Sequence, residues 1–391
     1  MKVTFFSNFL NHHQIPISNE FYELLGLDYT FVACEKVPEE RLKLGYLDDF
    51  SCYPYYLEVS DEASYQKALL LGRESDVVII GSADNIYIEE RIRQNKLTFR
   101  YSERLFKTNK HVVLYPLILL SRLISDVSLR KKNVYMLSSS AFTPLDYSLL
   151  FSYPKKFYKW GYFPEFVLQD TKLLEVKKEH DRIEILWVGR MIQWKRPMMA
   201  IKVIEKLLTQ GFSCRLKMIG TGPLEETIKT YIKEHNLSDS IDVLGPMNPK
   251  LVRDYMEQAN IFLCTSTKQE GWGAVLNEAM NSGCATYAYY KIGAAPYLIK
   301  HGYNGKMFTN QLDLYHQLSI DLKSPNQFFQ MGVHGYETIH DLWNPKIAAN
   351  RFLVIAENLL HKNTKNDYDL GPMSKANVIT SSRMMKKQRK I

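Results

Sequence analysis

A short apolar run, Ile261–Cys264, gives way to Glu270-Gly-Trp-Gly-Ala-Val-Leu-Asn-Glu278, and this change of pattern constrains everything built around it. An apolar run, then small flexible residues, then helical periodicity predicts a strand, a loop and a helix opening near Gly273. The first N–H groups of such a helix attract anions, and glycine lets a phosphate come close to the backbone. Glu278 then lies about one turn inside the helix, with Glu270 in the loop before it. Two carboxylates flank one anion-ready helix end, although the same spacing fits a merely solvated helix start.

The strand-loop-helix unit recurs along the chain. In the second half, strands are expected at Ile183–Val188, Cys214–Ile219, residues 241–244 and Ala285–Tyr289. The first leads into Gly189-Arg190-Met-Ile-Gln-Trp-Lys195-Arg196-Pro197, where two cations in one glycine-led loop suit a diphosphate. The next ends at Gly220-Thr-Gly222, a pattern that is weak by itself and often only a tight turn. His301-Gly-Tyr-Asn304-Gly305 predicts a type I′-like turn before a last strand. Residues 312–361 read as helical.

In the first half, Val3–Phe6 predicts a buried strand that delivers residues 8–14, with Asn11, His12 and His13, to the carboxyl edge of a sheet, where ligands bind. Adjacent histidines are as readily surface decoration, but this position favours a role in orienting a hydroxyl or moving a proton. Strands are also expected over residues 27–33, 76–80, 97–101 and 134–137. Glu103 and Arg104 follow the strand at 97–101, where they could pair with each other or contact a sugar. Asp48-Asp49, without a third acidic partner, reads as a turn. Residues 111–124 are strongly apolar and flanked by lysines and arginines, which fits a buried helix or, alternatively, one lying in an anionic membrane surface.

A chain of 391 residues exceeds one ordinary core. The charged stretch 165–181 separates two domains, 1–165 and 166–362, and from 363 to 391 the chain becomes a polar, basic, disordered tail with five basic residues between 383 and 390. The formal charge of +8 fits an anionic ligand or membrane surface and does not establish nucleic-acid binding. Five scattered cysteines form no zinc or disulfide pattern and suit a reducing cytosol. The N-terminus turns polar too soon for a signal peptide, and no run approaches a spanning helix.

Taken in order, Gly189-Arg190, Lys195, Gly220-x-Gly222, Glu270-x7-Glu278 and Asn304-Gly305 resemble the loops of retaining glycosyltransferases of family 4, the glycosyl transferases group 1, of the bacterial polysaccharide-biosynthesis type. The departure is Tyr297, where family members carry Glu. The resemblance implies an α/β, GT-B fold, two Rossmann-like domains facing across a cleft, with the last helix crossing back to the first domain. It implies transfer of a sugar from a nucleotide-diphospho-sugar to a glycan or lipid-linked acceptor in capsule, O-antigen or exopolysaccharide assembly, with no metal and no cofactor.

By the same resemblance the donor contacts Gly189, Arg190, Lys195, Gly220, Gly222, Glu270, Gly271, Trp272, Gly273, Ala274, Val275 and Glu278. Arg190 and Lys195 stand in for a metal at the diphosphate, Glu278 holds the ribose hydroxyls and Glu270 the donor sugar. Asn11, His12, His13, Glu103 and Arg104 are the acceptor-side candidates. The expected location is cytoplasmic, with peripheral attachment to the inner face of the plasma membrane as an option. A GT-B epimerase, a phosphorylase-like enzyme and a catalytically silent sugar-nucleotide binding protein are the rival readings.

Overall fold

The computed structural model describes residues 1–42, 49–108, 114–126, 128–324, 326–363 and 368–380; side chains are not described at 40, 41, 122–126 and 128. The chain divides into two units, one of Met1–Glu165 with the chain from Leu342 onward, the other Phe166–Asp341.

In the first unit seven strands form one parallel sheet in the order β3-β2-β1-β4-β5-β6-β7. They are β1 (Val3–Ser7), β2 (Tyr29–Ala33), β3 (Tyr56–Glu58), β4 (Val77–Ile80), β5 (Thr98–Ser102), β6 (Val134–Ser138) and β7 (Phe157–Lys159). Every residue of β1 and β4 is buried, which is why these strands read as continuous apolar runs rather than alternating ones. The helix Ile15–Leu25 opens with Pro16 in its first turn and packs on the helix Pro345–Leu360. There the Phe352 ring lies 5.3 Å from Phe21 and 4.8 Å from Phe99.

Beneath the sheet Arg91 is wholly buried, and its guanidinium donates to the carbonyls of Gly72 (2.7 Å), Ser75 (3.1 Å), Asp76 (3.3 Å) and Leu97 and to the Thr98 hydroxyl. The buried charge is thus met by backbone dipoles, and it ties the end of the helix Glu62–Glu74 to the residues that lead into β4 and β5.

Several expectations change here. The apolar helix is Tyr115–Asp126, and it is not buried all round: Leu117 is 66% and Leu120 59% exposed. It touches the unit through Tyr115, whose ring lies 5.8 Å from Phe106 and whose hydroxyl donates to the Leu149 carbonyl. Residues 111–113 lie outside the described residues, as do Asp48 and the basic cluster 383–390. Asp49 accepts the Ser51 N–H at 2.8 Å, the geometry of a turn.

The polar stretch after 363 is not wholly a tail. Within residues 368–380, Met373 and Ser374 are buried, and the segment bonds along the outer side of β7: Met373 N–H to the Lys159 carbonyl (2.8 Å), Lys159 N–H to Ser374 (2.8 Å) and Ala376 N–H to Phe157 (3.0 Å). The division between units falls at Leu342, before the last helix and not after it.

In the second unit six strands are again all parallel, ordered β10-β9-β8-β11-β12-β13. They are β8 (Ile183–Val188), β9 (Cys214–Ile219), β10 (Ile241–Gly245), β11 (Ile261–Cys264), β12 (Ala285–Tyr289) and β13 (Lys306–Phe308). Ile185, Trp187, Leu216, Met218 and Leu263 meet Ile201 and Ile204 of the helix Pro197–Thr209 in the core. Cys214, Cys264 and Cys284 are buried free thiols acting as small apolar residues. The turn before β13 is not type I′, because Asn304 has no positive φ. Its buried amide instead donates to Leu298 and Thr338 and accepts the Lys300 N–H at 2.7 Å, which holds the corner from inside.

Candidate functional site

Both sheets grow outward from their first strand in two directions, so each has a point where neighbouring strands lead their following loops apart. In the second unit that point lies between β8 and β11, paired through Ile185 and Ile261. A crevice opens at the carboxyl ends of such strands. The loops that meet there are the two the sequence singled out, residues 189–196 and 265–273.

They are sewn together. The Thr267 N–H donates to the Trp194 carbonyl at 2.8 Å, and the Thr265 hydroxyl accepts from the Trp187 indole (2.9 Å) and donates to the Lys195 carbonyl (2.7 Å). Arg196 adds the strongest stitch. It sits in the left-handed region (φ 53°) just before Pro197, a conformation that costs a residue with a side chain about 1 kcal/mol or more. Its guanidinium, 4.1 Å from the Tyr289 ring, donates to the carbonyls of Thr265 (2.6 Å) and Ser266 (3.2 Å) and so holds the backbone there. Burial lowers its basicity. Thr265, Trp194 and Arg196 were not picked out from the sequence, and only the Arg-Pro junction at a helix start hinted at one of them.

Lys195 and Glu270 form an ion pair across these loops, both side chains largely covered. The Lys195 ammonium also lies 4.9 Å from the Trp194 ring. Arg190 is exposed, 6.0 Å from the same ring, and has no ion pair among the described residues. Gly273 caps the helix Ala274–Asn281 with φ 95°, and no side chain caps it, so the N–H groups of Ala274 and Val275 begin the helix without an intrahelical partner. A Cβ on Gly273 would stand 3.0 Å from Ile292 and 3.2 Å from Glu270, so a side chain would press on the carboxylate-bearing residue itself. Glu278 is half-buried, and that burial raises its carboxyl above the usual range, with Arg253 opposing.

Three donor-side candidates also have a place in the architecture. Trp272 is 1% exposed and its indole donates to Asn277 within the core, which leaves only its backbone near the crevice. Gly220 (φ 131°) would place a Cβ 2.0 Å from the Gly189 carbonyl oxygen, and Gly222 one 2.7 Å from that of Met191. These glycines let the loop after β9 lie directly on the loop after β8, where the Met191 N–H donates to the Thr221 carbonyl at 2.9 Å. They shape the crevice wall from behind. Tyr297 packs 6.2 Å from the Trp272 ring.

The first unit has its own divergence point, between β1 and β4, and there a polar pocket of about 350 Å³ opens. Asn11, His13, Glu103 and Arg104 line it with Gln14, Tyr101, Lys107, Ser139 and Tyr162, while exposed His12 does not. Asn11 is committed to the loop, bonding Gln14 at 2.8 Å and accepting the His13 N–H at 3.0 Å. The His13 ring is stacked on Tyr162 at 5.4 Å and lies tilted against His12 at 3.8 Å, and its Nδ1 is buried without a hydrogen-bond partner. Burial first, and the neighbouring His12 second, push His13 down to about 3, so it is neutral at ordinary pH.

Glu103 and Arg104 do not pair with each other, because adjacent residues leaving a strand diverge. Glu103 binds Lys107 and the Tyr162 hydroxyl. Arg104 binds Asp146 at 3.2 Å and lies 5.0 Å over the Phe142 ring. Asp146, 2% exposed, also accepts the Phe106 N–H at 2.9 Å, and its carboxyl is raised by burial against the pull of Arg104.

Residues 169–318 match the family model described as glycosyl transferases group 1. Among curated proteins the chain is 29% identical over 128 residues to the putative colanic acid biosynthesis glycosyltransferase WcaL of Salmonella typhimurium, covering 32% of this chain and 31% of that one. It is 31% identical over 131 residues to the amylovoran biosynthesis glycosyltransferase AmsK of Erwinia amylovora, 32% of each chain. The chain thus spans about a third of the length of these relatives. Among solved structures, Anabaena Alr3699/HepE in complex with UDP superposes with a TM-score of 0.68 at 12% identity, over 92% of this chain and 100% of that one. Sucrose-phosphate synthase from Thermosynechococcus elongatus gives 0.62 at 14%, over 93% and 100%.

Proposed function

We propose that this chain, which has the GT-B fold and whose residues 169–318 match the family model of the glycosyl transferases group 1, moves a sugar from a nucleotide-diphospho-sugar to a growing glycan, with retention at the anomeric carbon and without a metal. The observation that carries this reading is the pairing of two cations, Arg190 and Lys195, with the uncapped helix opening at Gly273 around one crevice. Charge develops on the diphosphate as the glycosidic bond breaks, and fixed donors aimed at it stabilise the transition state most. Arg190 reaches solvent and meets the diphosphate first; Lys195 follows once Glu270 turns to the donor sugar's hydroxyls. Glu278 accepts from the ribose hydroxyls. The UDP in the Anabaena protein supports a nucleoside diphosphate as leaving group.

The acceptor side is the pocket of the first unit. Relatives named for colanic acid and amylovoran biosynthesis support a polysaccharide as the product. No helix among the described residues is long and apolar enough to cross a membrane. The exposed leucines of the helix Tyr115–Asp126, beside exposed Phe151 and Lys131, instead favour peripheral contact with an anionic leaflet, where a lipid-linked acceptor is held. The test is a panel of radiolabelled nucleotide sugars, with and without cell membranes. Transfer of one label into a glycan is expected. Failure to transfer or hydrolyse any of them, with intact nucleotide binding, would favour a silent binding protein.

A further inference from the structure

We propose that the pocket of the first unit is a subsite for an uncharged sugar ring, and that the Glu103–Lys107 ion pair is what makes it refuse an acidic one. Calling that sugar the acceptor's terminal residue rests on the transferase reading; the selectivity itself rests on the pocket. At about 350 Å³ it is at the small end of the range for small-molecule sites, sized for a monosaccharide unit and not for a long chain segment.

Three charged side chains line it, and each is answered inside the same unit. Arg104 is held by Asp146, with both side chains almost covered (10% and 2% exposed). Lys107 is held by Glu103, which also accepts from Tyr162. His13 is neutral, so no net charge is left to receive an anion. A uronate or phosphate entering here would have to break Lys107 from Glu103 and would then face the released carboxylate.

A neutral ring meets no such cost. Its hydroxyls donate to the remaining lone pairs of Glu103 and accept from Lys107. The stacked rings of His13 and Tyr162, with Tyr101 edge-on at 6.2 Å, form a wall for the sugar's C–H face.

The experiment titrates the full chain with methyl glycosides of neutral hexoses, with methyl glucuronide and with a hexose 6-phosphate, read by saturation-transfer NMR. Neutral glycosides are expected to bind, with the uronate and phosphate weaker by roughly tenfold or more, the scale of one unpaired charge-assisted bond. Glu103→Gln leaves Lys107 without its counter-charge and should raise uronate binding relative to the neutral sugar. Lys107→Met should lower it further, and carries the test if the first variant does not fold. Uronate binding as tight as neutral, a ratio unmoved in both variants, or no saccharide binding at all would overturn the proposal. Calorimetry with nucleoside diphosphates on the same preparation reads the second unit separately. Its failure beside intact sugar selectivity would remove the acceptor role and leave a neutral-sugar site.

Discussion

Lys195 and Glu270, 75 residues apart in the chain, are joined in an ion pair at the divergence point of the second sheet. The cation assigned to the diphosphate is therefore already claimed by the carboxylate assigned to the sugar. Lys195→Ala and Arg190→Ala should each weaken nucleoside-diphosphate binding by roughly 1.5 to 3 kcal/mol, the range for bonds to charged groups. Glu270→Gln separates the two roles: it frees Lys195, so diphosphate affinity should hold or rise while sugar transfer collapses. Calorimetry and turnover on the three variants check this, and a Gln variant that binds more weakly would show that Glu270 contacts the nucleotide.

Turnover should survive EDTA, because Arg190 and Lys195 supply the counter-charge that a metal supplies elsewhere. Activity abolished by chelation and restored by Mg²⁺ or Mn²⁺ would place the leaving-group chemistry on an ion instead.

Gly220→Ala should destabilise the second unit by about 1 to 3 kcal/mol, as its new Cβ would meet the Gly189 carbonyl oxygen at 2.0 Å. Gly211→Ala is the control: φ is also positive (82°), but nothing lies within 4 Å, so only the backbone cost remains. Equal shifts in melting temperature would mean that the loop after β9 can back away.

His13 sets a pH dependence of stability with a definite sign. Its folded value, about 3, lies below the ordinary 6.5, so between these limits the unfolded chain takes up a proton that the folded chain refuses. Stability is therefore lost as pH falls through 6.5 and continues to fall toward 3, by up to roughly 2 kcal/mol between 6.5 and 5. Urea midpoints at pH 7 and pH 5 should converge in His13→Asn relative to the parent. The same neutrality predicts that no kinetic pKa near 6.5 belongs to His13.

The helix Tyr115–Asp126 should bring the protein down with anionic liposomes and not with neutral ones, in a salt-sensitive way. Leu117→Ser with Leu120→Ser should abolish sedimentation without lowering the melting temperature, since both leucines are exposed. Negligible pelleting of the parent with either lipid would remove the membrane contact.

What could be read in advance was the part encoded locally. Runs such as Val77–Ile80 and Ile261–Cys264 are buried on both faces, so their composition alone identifies them, and their loops follow. The helix opening at Gly273 was legible for the same reason. Pairings over long separations were not: nothing near Arg104 points to Asp146, 42 residues on, and nothing near Lys195 points to Glu270. Gly220 and Gly222 were read toward a ligand, because a glycine needed for a backbone neighbour looks the same in sequence as one needed for a phosphate. The apolar run around Leu117 told composition, and not which face would find a partner.

The stretch along β7 has a bearing on solution behaviour as well as on fold. An outermost parallel strand offers a row of N–H and C=O groups to any extended chain that passes. By bonding to Phe157 and Lys159, residues 373–376 occupy that row from within the same molecule. A version of this protein cut back to the last helix would keep its sheet but carry an open seam on one side. Its hazard would be self-association into aggregates along that edge.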